Sequence, residues 1–282
     1  DLARRDGATG PLDLRGVAFP TRFGELRRWS VPQSGATGGF FAANLADGRY
    51  WSTVDLNGDG LPDLVQTSDP SRGQIWDSAG SPYWKFFLNT GASFEAPGKW
   101  PVPQSGTGGG FYTVTAGAGT DPRQWQLMDL NGDRRPDLVQ TGDPTKQFAQ
   151  VWDVNGTPYW KVFLNEGTGF GPVSNWSVPK NGLGDGVFGV EGPGGGRYWS
   201  TIDLDGDRLP DLVLSADPTK GQQVWDVNGA PYWKVYLNTG NGFSAVATTW
   251  AVPPSGTAEG FYAPRVASGS RQWQVIDLNG DG

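Results

Sequence analysis

The chain has 282 residues, 37% of them apolar and 13% aromatic, a formal charge of −7, 44 glycines, 22 prolines, and neither cysteine nor histidine. That inventory excludes disulfide frameworks, zinc centres of the usual ligand type, thiol nucleophiles and histidine acid–base catalysis. Glycine and proline recur too often for long helices, and no apolar run reaches the length of a membrane span.

Residues 1–28 carry Arg4, Arg5, Arg15, Arg22, Arg27 and Arg28. Without a basic stripe interleaved with aromatics they read as a solvated face, and nucleic acid is not an expected partner. No secretory signal is read at the start of the sequence. From Trp29-Ser-Val-Pro onward the chain repeats itself. A short apolar strand predicted around Trp51, Trp125, Trp199 and Trp273 leads each time, four residues later, into an aspartate-rich loop. The loops are Asp55-Leu-Asn-Gly-Asp-Gly-Leu-Pro-Asp63, Asp129-Leu-Asn-Gly-Asp-Arg-Arg-Pro-Asp137 and Asp203-Leu-Asp-Gly-Asp-Arg-Leu-Pro-Asp211, at 74-residue intervals, and a partial copy holds Asp277, Asn279 and Asp281. Oxygen side chains at positions 1, 3, 5 and 9, with glycine at 4, suit a hard cation that takes six to eight oxygens. Much of the formal acidity thus belongs to the loops and marks metal binding.

A second strand follows each loop, at Leu64-Val-Gln-Thr, Leu138-Val-Gln-Thr and Leu212-Val-Leu-Ser. Next come Trp76-Asp77, Trp152-Asp153 and Trp225-Asp226, an Ala-Gly or Asn-Gly turn, and an aromatic strand such as Tyr159-Trp-Lys-Val-Phe-Leu-Asn165. That is a hairpin signature. Trp-x-Val-Pro and a glycine-rich passage complete a unit of about four strands. Units that must cover one another's apolar faces imply an all-β propeller, with the recurrent tryptophans packed between blades. The expected organisation is one domain over 1–282, with units at 1–50 (partial), 51–124, 125–198, 199–272 and 273–282 (partial). Two arrangements fit these ends: about four blades in a closed ring, or a fragment of a larger propeller.

These motifs resemble the FG-GAP/VCBS repeat: Asp-x-Asn-Gly-Asp-Gly-x-x-Asp between short strands, then an aromatic strand ending Leu-Asn-x-Gly, then Gly-Phe. The resemblance covers about residues 29–282. It implies a calcium-stabilised propeller of the kind found in integrin α-subunit heads, in propeller lectins and in bacterial surface and toxin proteins, and it implies binding rather than catalysis. Carried over by position, it makes ligands of Asp55, Asn57, Asp59 and Asp63, of Asp129, Asn131, Asp133 and Asp137, and of Asp203, Asp205, Asp207 and Asp211. Backbone carbonyls of Leu61, Arg135 and Leu209 would join them, giving three complete calcium sites and a fourth, partial one. The sequence departs from the pattern at position 6. Arg134 and Arg208 stand where the first loop has Gly60, so a left-handed backbone there would cost about 1 kcal/mol.

An EF-hand is the competing reading of the loop, and Gln66, Gln140 and Leu214 at position 12, where that motif requires glutamate, argue against it, as do the strand-like flanks. The expected function is a secreted or cell-surface binding module. Its partner is a glycan held by Trp76, Trp152 and Trp225 with Asp77, Asp153 and Asp226, or else a surface protein. The alternative is a scaffold segment of a large bacterial toxin, adhesin or surface assembly. Glu95, Glu166, Asp185, Glu191 and Glu259 lie outside the repeat pattern and have no evident catalytic partner, so no enzyme is expected.

Overall fold

The structure, a computed structural model, describes residues 29–32, 51–69, 75–103, 125–143, 150–180, 199–217 and 223–253. Within them every regular element is a strand, and all strand pairs are antiparallel. No helix among these residues is long and apolar enough to cross a membrane. The first unit comprises β1 (Trp51–Val54), β2 (Asp63–Gln66), β3 (Trp76–Ser78), β4 (Ser81–Phe87) and β5 (Gly98–Pro101). The second comprises β6 (Trp125–Met128), β7 (Asp137–Gln140), β8 (Gly142–Asp143), β9 (Gln150–Val154), β10 (Thr157–Asn165) and β11 (Phe170–Ser177). The third repeats it with β12 (Trp199–Ile202), β13 (Asp211–Leu214), β14 (Ala216–Asp217), β15 (Gln223–Val227), β16 (Ala230–Tyr236) and β17 (Thr248–Ala251).

Each unit is a four-stranded sheet with one branch. In the second, β6 pairs β7, β7 pairs the end of β10, and β11 runs along the other edge of β10. The start of β10 pairs β9 instead, which β8 then flanks. The branch arises where β9 wedges between β10 and the chain leaving β7. The hairpin turns behind it need two left-handed residues in succession, and Ala79-Gly80, Asn155-Gly156 and Asn228-Gly229 all have positive φ.

The sheets stack as propeller blades do, through apolar faces shared by consecutive units. One buried cluster joins Trp84, Trp100 and Val65 of the first unit to Trp125, Leu138 and Phe163 of the second. Another joins Trp160, Val162 and Trp176 of the second to Trp199, Leu212 and Tyr236 of the third. Phenylalanine from each Gly-Phe segment reaches back to the preceding sheet. Phe170 meets Trp84 and Trp100 edge-on at 5.4 and 6.2 Å between centroids, and Phe243 meets Trp160 and Trp176 at the same distances. Phe94 meets Trp29 at 5.8 Å, so the short 29–32 segment stands to the first unit as each Trp-x-Val-Pro strand stands to the next. Such wide aromatic contacts add about 0.5–1.5 kcal/mol per pair beyond the area they bury.

Volumes compensate across the central and outer strands. Phe86 lies opposite Gly98, where the other units pair Val162 with Ser174 and Val235 with Thr248. A Cβ on Gly98 would come within 2.3 Å of the Phe86 ring. Gly98→Ser should therefore destabilise the fold by about 1–3 kcal/mol in urea denaturation. Adding Phe86→Val, which restores the pairing of the second unit, should recover most of that loss.

Candidate metal centre

Each of the three described loops begins with a carboxylate that binds the loop's own backbone. Asp55 accepts hydrogen bonds from the amides of Gly58 (2.9 Å), Asp59 (3.2 Å) and Gly60 (2.8 Å). Asp129 accepts from Gly132 (2.8 Å) and Arg134 (2.7 Å), and Asp203 from Gly206 (2.8 Å) and Arg208 (2.9 Å). Reaching these amides winds the chain through left-handed geometry at positions 4 and 6: Gly58, Gly132 and Gly206 at 4, then Gly60, Arg134 and Arg208 at 6, where φ is 85°, 72° and 74°. The strain expected at the two arginines is present and is offset by the bond each amide donates.

Position 9 closes the loop. Asp63, Asp137 and Asp211 are buried, and each uses one carboxylate oxygen for the amide at loop position 2 and the other for an asparagine amide ending the aromatic strand. The Asp137 bonds are to Leu130 (2.9 Å) and Asn165 (2.8 Å). Asp63 holds Leu56 and Asn89 likewise, and Asp211 holds Leu204 and Asn238. Each carboxylate oxygen keeps further lone pairs for a ligand. Burial pushes the Asp137 carboxyl up to about 6 against the pull of the two amides, with the charges of Asp133 and Asp129 adding to the rise. Asp211 is likewise raised to about 6 by burial, and Asp63 is raised for the same reason.

The asparagines had no role in the sequence-based reading beyond marking a strand end. Asn165 donates through Nδ2 to the carbonyl of Pro136 in its own unit (3.2 Å) and to that of Leu56 in the preceding one (2.9 Å). Its Oδ1 accepts the Gly167 amide at 2.8 Å. Asn238 repeats this with Pro210, Leu130 and Gly240. The first and second acidic loops are thus each clamped by the following unit. The available signal was the recurrence of asparagine 26 to 28 residues after the ninth loop position.

Position 7 seals the same junction. A Cβ on Gly58 would lie 2.8 Å from Cγ of Arg135, and one on Gly132 would lie 3.1 Å from Cδ2 of Leu209. The side chain at position 7 therefore rests on the position-4 glycine of the loop before it.

The remaining candidates divide by loop. In the third, oxygens of Asp203, Asp205 and Asp211 lie within 4.8 Å of one another, an all-oxygen set suited to a hard cation. Asp207 accepts the Leu209 amide at 2.8 Å. The first loop offers an amide oxygen at position 3. Asn57 Oδ1 accepts the Asp59 amide and Asn57 Nδ2 donates to Asp59, whose other oxygen accepts from Leu61. In the second, Asn131 bonds Asp133 in the same way, but Asp133 Oδ2 also pairs with the Arg135 guanidinium at 2.7 Å. Burial is the strongest single influence on Asp133 and works against its ionisation, yet the Arg135 guanidinium bond, the Arg135 amide, the Asn131 bond and the Arg135 charge together outweigh it and hold this carboxyl below its ordinary range. Asp277, Asn279 and Asp281 lie outside the described residues.

The tryptophans proposed to stack on sugars are engaged internally. Trp76, Trp152 and Trp225 pair across the strands with Tyr83, Tyr159 and Tyr232 at 6.3 Å. Ammonium groups of Lys85, Lys161 and Lys234 sit 3.9, 3.5 and 3.4 Å from their ring centroids. Asp77, Asp153 and Asp226 accept the turn amides of Gly80, Gly156 and Gly229.

No protein-family model matches the chain, and no curated protein does. Among solved structures, a chain of the Photorhabdus luminescens Tc holotoxin pore is similar over 74% of this chain and 7% of its own length, with 23% identity and a TM-score of 0.40.

Two outcomes follow from this geometry. Asn165→Ala removes three hydrogen bonds, one across the unit boundary, and should cost about 2–4 kcal/mol in chemical denaturation. Asn89→Ala, whose side chain bonds only Pro62 and Gly91 among the described residues, should cost less. Because Asp137 and Asp211 have folded pKa values raised above the unfolded ones, their contribution to stability is fullest below about pH 4 and is lost as pH rises through about 6. In chelator, carboxyl NMR titrations should place both midpoints near 6. Saturating calcium should move them down.

Proposed function

We propose that this chain is a calcium-braced β-propeller scaffold that presents a protein-binding surface outside the cell. The observation that carries the reading is the convergence of Asp203, Asp205 and Asp211 oxygens within 4.8 Å, in a loop whose backbone is already wound by its own carboxylates. Asp203, Asp205, Asp207 and Asp211 would hold the ion in the third loop, and Asp55, Asn57, Asp59 and Asp63 in the first. When bound, calcium supplies two positive charges among carboxylates that otherwise repel one another and resist burial. Loops of this kind bind at about 10⁻⁴ to 10⁻³ M in extracellular modules, which places the reading in a calcium-rich medium.

A protein partner suits the surface better than a sugar. The rings of Trp76, Trp152 and Trp225 already lie under lysine ammonium groups, whereas Val154 and Val227 stand more than half exposed at the tips of equivalent, rigid hairpins. The reading is of a scaffold and not an enzyme, since the recurrent carboxylates are engaged by backbone amides.

Thermal melting in calcium against chelator tests the proposal. Each site should add about 1.4 kcal/mol when free calcium is about ten times its Kd. Asp203→Asn with Asp205→Asn should remove one bound ion in equilibrium dialysis and part of that gain. A melting temperature identical in calcium and chelator would sink the proposal.

A further inference from the structure

The position-7 residue differs between loops in a way that bears on charge. Leu61 and Leu209 are apolar, whereas Arg135 carries a guanidinium. The aliphatic stem of Arg135 does what Leu209 does, lying against the glycine of the preceding loop, with Cγ 2.8 Å from where a Cβ on Gly58 would be. Its head turns back into its own loop. There Nη2 holds Asp133 Oδ2 at 2.7 Å, while Nη1 lies over Gly167, 3.1 Å from where a Cβ would be. Asp129 and Asp137 also act electrostatically on the same guanidinium, so one cation offsets charge from all three carboxylates of the loop. Neither leucine can do this.

We propose that Arg135 is a built-in cation of the second loop, standing in for the divalent ion that the first and third loops take, so that calcium occupies those two in preference. This rests on the calcium reading above, and it revises the expectation of three complete sites. An ion in the second loop would have to break a charge-assisted hydrogen bond at position 5 and sit beside a fixed positive charge. In the absence of metal the same guanidinium relieves repulsion among Asp129, Asp133 and Asp137, and the second loop, between the other two, keeps its form.

Reciprocal variants of the whole chain test this by two measurements. Arg135→Leu keeps the packing residue of the neighbouring loops and removes the charge, while Leu209→Arg installs the charge in the third loop. With calcium alone as probe, equilibrium dialysis should count one more ion in R135L than in wild type and one fewer in L209R. In chelator, R135L should melt roughly 2–4 °C lower than wild type and L209R should melt higher. Equal ion counts for wild type and R135L in a chain that binds calcium would overturn the assignment, as would equal melting in chelator. If no form binds calcium but the opposite melting shifts persist, the calcium reading falls and the internal cation stands. Should R135L fail to fold, loss of an ion in L209R supports the assignment and retention of that ion overturns it.

Discussion

A buried carboxylate gripping two backbone amides, one at the entrance of its own loop and one at the far end of the aromatic strand, is the constraint on which this fold is built. Asp63, Asp137 and Asp211 sit at the start of a central strand, and each ties the entrance of its own loop to the asparagine that ends the aromatic strand. Burying a carboxylate is expensive unless its lone pairs are satisfied. Two amides satisfy it only in part, as the raised carboxyls of Asp137 and Asp211 indicate. The form of the loop is therefore set by its own backbone hydrogen bonds, and it retains an electrostatic deficit that a cation would relieve. Under the proposed function a bound metal would contribute charge, and the backbone contributes form.

Cohesion between units comes in two layers that share one segment. The turn after Asn165 carries both the asparagine that bonds the preceding unit's Leu56 carbonyl and Phe170, which enters between that unit's Trp84 and Trp100. The turn after Asn238 does the same with Leu130, Trp160 and Trp176. Because polar clamp and aromatic wedge lie five residues apart on one turn, neither can shift without the other, and adjacent sheets are fixed in stagger as well as in spacing. This is nearest-neighbour stabilisation, in which the apolar face of each unit is completed by the next.

The repeat period, the strands flanking each loop, the Asn-Gly hairpins and the left-handed backbone at Arg134 and Arg208 were all legible in the sequence, because each follows from local geometry. The covered faces of Trp76, Trp152 and Trp225 were within reach of the same reasoning. In an antiparallel pair, Tyr83 and Lys85, two residues apart, share one face with Trp76, which pairs with Tyr83, so a lysine at that position was a sign of an occupied ring. The tasks of Asn165 and Asn238 were not legible. Their partners lie 109 and 108 residues away, across a unit boundary whose stagger no local pattern encodes. Arg135 was misleading for a related reason: a position expected to offer only its carbonyl also packs on the preceding loop, and any long side chain that satisfies the packing can return its head to the cage.

That double duty explains how near-identical repeats can diverge electrostatically without diverging in shape. The packing role of position 7 asks only for apolar surface against a glycine, which leucine and the stem of arginine both provide. The choice between them is then free to set the charge of the loop. Since Arg135 and Leu209 each touch the loop before them, consecutive acidic loops are neighbours, and three divalent ions in a row would be like charges in a partly dry interface. A monovalent cation fixed by covalent attachment in the middle loop breaks that row, and it does so at the junction where the carbonyl of Leu56 already needs the second unit in place.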